Sequence, residues 1–187
     1  MLKWIVLLTF VLNVIWAGEI SEKGIALLKQ KKYEEALSTF KTIETAEREQ
    51  LTSLIGQLYC TVALGRFDQI DPMIAKIDLE LREAINCDAP PPSTPQTKEH
   101  HQISYECRQH VREVANQIRE TVEKLVRETV PGFFQKIKIL RQLYPYVDAL
   151  ERTGLDCCQN NYPWQCCTNP LLEQLEAWNS FGITPEM

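Results

Sequence analysis

Apolar residues along most of the chain recur at intervals of three and four, the spacing that lines one face of a helix. Ala36, Leu37, Phe40 and Ile43 form one such stripe, and Cys107, Val111, Val114, Ile118, Val122, Leu125 and Val126 form a longer one. No run alternates apolar and polar positions in the way of a half-buried strand. The periodic segments are filled by Leu, Ala, Glu, Lys, Gln and Arg, all good helix formers, and the prolines cluster outside them. The pattern predicts an all-α protein.

The opening segment follows a different rule. Lys3 precedes a run from Trp4 to Trp16 that is apolar except for Thr9 and Asn13. A membrane-spanning helix needs roughly 20 apolar residues, so this run is short for a span. A short apolar run ending in small residues, here Ala17 and Gly18, is the pattern of a secretory signal peptide, assigned to 1–18. Ile15 is bulkier than an ideal cleavage site has, which leaves an uncleaved anchor as the alternative. The expected location is secreted or periplasmic, within the cell envelope, with membrane contact only if the segment is retained.

The first half repeats. Tyr33 and Phe67 stand 34 residues apart, and so do Ala36 and Ile70, Phe40 and Ile74, Ile43 and Ile77, and Ile20 and Leu54. Lys31-Lys32-Tyr33 before Glu34 matches Gly65-Arg66-Phe67 before Asp68 in the same register. Each unit reads as two helices with a tight turn between them. Gly24 and Ala36 are small enough for the helices of the first unit to approach closely. In the second unit, Asp71 suits an N-cap and Pro72 the first helical position.

With these residues and this period, 19–86 resembles a pair of tetratricopeptide (TPR) helical hairpins, most clearly over GIALLKQKKYEEALSTFKTI. The resemblance implies a protein or peptide partner held against the inner face of the first helix of each hairpin. By register those positions are Ser21, Ile25 and Leu28, then Ile55, Tyr59 and Val62. The competing expectation is that the chain's own later helices cover this apolar face, because two repeats are too few to stand alone.

After a Pro-rich connector, 87–98, the remainder, 99–187, reads as a helical C-terminal part with a Cys-rich loop. A long helix runs from about Glu99 to Val130 and ends at Pro131-Gly132. Its outer side carries Arg119–Glu123, Glu120–Lys124, Glu123–Arg127 and Lys124–Glu128 spacings, a solvated face. A second amphipathic helix runs from Phe133 to about Leu150, with Phe133, Ile137, Leu140, Tyr144 and Val147 inward, and Pro145 as a possible bend. Lys136, Lys138 and Arg141 beside Phe133 and Phe134 suit a packed helix better than a membrane-surface one. Thr153-Gly154 then opens a loop, and a short terminal helix starts at Asn169-Pro170 with Leu171, Leu175 and Trp178 inward.

Charge excludes one partner class. Glu19–Asn86 carries nine basic and twelve acidic residues, and Cys87–Met187 ten and thirteen. Neither half is basic, so nucleic acid is not an expected partner.

Seven cysteines in an exported chain point to disulfides. Cys60 sits inside a repeat helix and reads as a buried free thiol. Cys87, Cys107, Cys157, Cys158, Cys166 and Cys167 remain for bridges. The favoured arrangement crosses from Cys157/Cys158 to Cys166/Cys167 and staples the connector by Cys87–Cys107. Metal is the rival, through the four loop thiols or through His100, His101, Cys107 and His110. Neither set has familiar zinc spacing, so no metal ligand and no cofactor are assigned. No phosphate loop, metalloprotease motif or nucleophile elbow is present. The chain is therefore expected to be a non-catalytic interaction or scaffold protein. The alternative is a small exported redox or metal-handling protein that works through the Cys-rich loop.

Overall fold

Seven helices and no strand make up the described residues of this computed structural model, which are 21–43, 50–84, 98–159 and 164–182. In chain order they are α1 (21–29), α2 (Tyr33–Lys41), α3 (Gln50–Ala63), α4 (Ile70–Ala84), α5 (Lys98–Thr129), α6 (Phe133–Gln159) and α7 (Trp164–Ser180). The proposed signal peptide, nearly all of the Pro-rich connector and Cys87 lie outside the described residues.

The two N-terminal hairpin turns close with the same pair of backbone hydrogen bonds. Lys32 N–H donates to Leu27 O at 3.0 Å and Lys31 N–H to Leu28 O at 2.8 Å, which closes the end of α1. Thirty-four residues later, Arg66 N–H donates to Thr61 O at 3.0 Å and Gly65 N–H to Val62 O at 3.1 Å, closing α3. Both are Schellman closures, which need one residue in left-handed backbone. Gly65 takes it at φ 72° and Lys31 at φ 58°. Past the second turn, a 3₁₀ turn at Phe67–Gln69 leads into α4, which starts at Ile70. Pro72 therefore sits in the first turn of α4, where a missing N–H forfeits no intrahelical bond.

Phe40 fastens the first hairpin to the second. A Cβ on Gly24 of α1 would lie 2.7 Å from its ring, and a Cβ on Gly56 of α3 would lie 2.6 Å from it. The ring fills the space that both glycines leave open. Ser53 of α3 donates its hydroxyl to Phe40 O at 2.6 Å and fixes the register of the two helices.

The C-terminal part is an antiparallel hairpin, α5–α6, with α7 folded back along it. Tyr144 donates to Glu123 at 2.9 Å and Arg119 to Asp148 at 3.0 Å, and Cys107 is bonded to Cys158, so the partners descend on α6 as they rise on α5. α7 packs on α5, α6 and α3, and α4 packs along α6. The whole expected stripe of α5 is buried.

Three expectations are corrected. The inward face of α6 is Ile139, Leu143, Tyr146, Val147, Leu150, Gly154, Cys157 and Cys158, whereas Phe133 is exposed and Ile137, Leu140 and Tyr144 only half-buried. α6 packs against α4, α5 and α7, so its apolar residues spread beyond a single stripe and period alone does not fix the inward set. Second, Gly154 opens no loop. A Cβ there would lie 2.9 Å from Val111, so it is a packing glycine within α6, which continues through Pro145 to Gln159. Third, α7 begins at Trp164, which puts Pro170 inside the helix rather than at its first position. The expected 15-residue loop, Gly154–Thr168, is therefore mostly helix.

The matched turns give a paired test. Gly65→Ala should cost about 1 kcal/mol, and Lys31→Gly should gain a fraction of that, because only glycine takes left-handed backbone without steric cost. Urea unfolding midpoints of the two variants should move in opposite directions. Movement in the same direction would show that the turns are not equivalent.

Candidate functional site

The six positions named for a partner fall on the inner sides of α1 and α3. Ser21, Leu28, Ile55, Tyr59 and Val62 are buried, and Ile25 is half-buried. The chain itself supplies the cover. Tyr59 lies 6.5 Å from Trp178 and 5.8 Å from Phe181, ring to ring, and Phe181 reaches Phe40 at 6.0 Å. Ile25 faces Ala177 and Ser180 of α7 across one shallow cleft. Leu28 and Tyr59 border another cleft beside Phe181 and Glu128. The inner face of the hairpin pair thus holds the C-terminal half of α7.

Burial sets the ionisation of several groups in the core. It pushes the Tyr59 hydroxyl above its ordinary range, with Tyr33 and Glu128 adding to the shift. Burial likewise pushes the Cys60 thiol up to about 12, and Glu34 adds to this. Such a thiol stays protonated and unreactive at neutral pH, as a structural cysteine does. Tyr146, fully buried under α7, donates to Gln174 Oε1 at 2.5 Å and accepts from Trp178 Nε1 at 3.4 Å. This short polar chain orients α7 against α6.

The four bonded cysteines gather at the other end of α7. Cys157 is bonded to Cys167, crossing from α6 to α7 as the favoured arrangement has it. Cys107 is bonded to Cys158, not to Cys87. The correction follows from helix length: α6 runs far enough to bring Cys158 beside Cys107 on α5. Cys166, expected in a bridge, is half-buried and makes no disulfide among the described residues, while Cys60 is a buried free thiol. The Sγ atoms of Cys107, Cys158 and Cys167 all lie within 4.8 Å of one another, so the two bridges form one buried cluster. Bonded cysteine pairs fit an oxidising compartment. No helix among the described residues is long and apolar enough to cross a membrane.

The charged side of α5 bridges helices: Arg119 meets Asp148 at 3.0 Å and Glu151 at 3.7 Å on α6. His110, considered as a ligand with Cys107, sits 3.7 Å from Glu113. The most exposed large apolar side chains among the described residues are Phe133, at 72%, and Phe134, at 86%, at the start of α6. Their rings meet edge to face at 5.7 Å. Helical period alone places Phe133 on the inward face. The preceding Pro131-Gly132 break was the available signal that it stands at an exposed helix end.

Compared with known proteins, the chain matches no family model, no curated protein and no solved structure.

The bridges enclose sequence separations of 10 and 51 residues. In the loop-entropy account they are worth about 3 and about 4 kcal/mol. Mild reduction should therefore raise amide hydrogen exchange first in the second half of α6 and in α7, while α2 and α3 keep their protection. Early loosening of α2 and α3 with α7 still protected would contradict this role for the bridges.

Proposed function

We propose that the chain is a non-catalytic protein-interaction or scaffold protein of the secreted space or cell envelope, built on a TPR-like hairpin pair. The observation that carries this reading is the 34-residue recurrence of the turn hydrogen bonds at Lys31–Lys32 and Gly65–Arg66. A repeat in backbone geometry as well as in sequence is the mark of stacked hairpins, whose usual work is to hold a protein segment. The face those hairpins offer takes a helix, since it takes α7. The bonded cysteine pairs support an exported location.

With the inner face taken by α7, the most exposed apolar side chains among the described residues, Phe133 and Phe134, offer a partner an apolar tip. The exposed cations Lys138 and Arg141 follow it within two turns. This arrangement suits a protein surface with an apolar pocket and an acidic rim. A partner that instead displaced α7 would compete with a helix tethered in place, at an effective concentration in the millimolar range.

The test is Phe133→Ser combined with Phe134→Ser in the full exported chain. Both side chains are exposed, so unfolding stability should change by no more than about 0.5 kcal/mol. Photo-crosslinking from position 137 in the native compartment should give a discrete protein adduct with the wild-type chain and lose it with the double variant. An adduct that survives both substitutions would remove the tip from the interaction. Binding of the wild-type chain to anionic lipid vesicles, abolished by the same pair, would replace the protein partner with a membrane surface.

A further inference from the structure

We infer that Cys107, Cys157, Cys158 and Cys167 form a single tetrathiolate site for a thiophilic d¹⁰ cation, Zn²⁺, when both disulfides are reduced. The set is not the one that adjacent cysteines in the sequence suggest. Cys166 is left out, and Cys107 joins from a different helix. Three helices deliver the four sulfurs: α5 gives Cys107, α6 gives Cys157 and Cys158, and α7 gives Cys167. Cys107, Cys158 and Cys167 already hold their Sγ atoms within 4.8 Å of one another, and Cys157 is bonded to Cys167.

Geometry favours the metal. Zinc binds thiolates at about 2.3 Å in a tetrahedron, which sets neighbouring sulfurs about 3.8 Å apart. The sulfurs of Cys107, Cys158 and Cys167 lie within 4.8 Å of one another, and Cys157 reaches the group through its bond to Cys167. The bonded pairs reach the tetrahedral separation once each S–S bond is cut and the side chains turn about χ1, with Cα atoms 5.4 Å and 6.0 Å apart as they stand. All four cysteines are buried, so the thiolates would be shielded from competing water. Cys167 lies in the first turn of α7, where unpaired backbone N–H groups favour a thiolate.

The chemistry balances. Each disulfide takes two electrons and two protons from a dithiol reductant, which leaves as its own disulfide. The four protein thiols then release four protons as Zn²⁺ binds, giving a site of net charge −2. The same sulfurs cannot serve both forms, so oxidation expels the metal and reduction is required to load it. The oxidised chain and the zinc-loaded chain would share one fold, because in both forms the cluster ties α5, α6 and α7 together.

The experiment uses the full chain, reduced with a dithiol, freed of reductant without air, and titrated with Co²⁺ and then Zn²⁺. One equivalent of Co²⁺ should give tetrahedral d–d bands with thiolate charge-transfer absorption, and Zn²⁺ should displace it. Alkylation of the zinc-loaded chain followed by peptide mapping should leave Cys107, Cys157, Cys158 and Cys167 unmodified and mark Cys166. Cys107→Ser should weaken zinc binding by about 100-fold or more, and Cys166→Ser should leave it unchanged. The mapping is read on the wild-type chain and stands even if Cys107→Ser fails to fold. The site is overturned by zinc binding to the oxidised chain, by no stoichiometric binding to the reduced one, or by protection of Cys166 in place of Cys107.

Discussion

The ring of Phe40 is the contact on which the rest of the arrangement depends. It occupies the room left by Gly24 on α1 and Gly56 on α3, and its edge meets Phe181 just beyond α7. One side chain therefore joins both hairpins to the C-terminal part. A methyl group on either glycine would collide with the ring, so the close approach of three helices rests on two absent side chains. Tyr59, Trp178 and Phe181 continue the aromatic packing along the inner face, edge to face or tilted as aromatic quadrupoles prefer.

This packing meets a need visible from elementary considerations. Two helical hairpins bury too little apolar surface to stand alone, and their inner face must be covered. Here the cover is α7, held at one end by aromatic rings and at the other by the Cys157–Cys167 bridge to α6. α6 is in turn bonded to α5 through Cys107–Cys158. Fixing a short helix at both ends reduces the entropy it would lose on docking, which is how a 17-residue segment can serve as a permanent lid. The positions that the resemblance assigns to a partner are therefore interior or half-buried here, whereas Phe133 and Phe134 are the most exposed large apolar side chains among the described residues.

Much of this architecture was legible in the residues because it is local. The 34-residue register marked the two hairpin turns, and the stripe from Cys107 to Val126 marked the buried side of α5. What was not legible depends on contacts between distant segments. Gly154 reads as a breaker, yet it serves as a gap for Val111 and Leu171, neither of which is near it in sequence. Cys107 and Cys158 are separated by 51 residues, and nothing in their spacing announces the bond. The inward face of α6 was misread because three neighbours claim it. Cys166 and Cys167 look equivalent in sequence, yet Cys167 is bonded in the buried cluster while Cys166 is half-buried and makes no disulfide among the described residues.

α7 and the hairpin pair form one closed core through Phe40. A double-mutant cycle between Phe40→Leu and Phe181→Leu, read by urea unfolding of the oxidised chain, tests it most directly. A coupling energy of about 0.5–1.5 kcal/mol is expected, the range for an edge-to-face aromatic pair. Effects that add to within about 0.3 kcal/mol would mean that the two rings do not interact, and that α7 is not the cover of the hairpin pair.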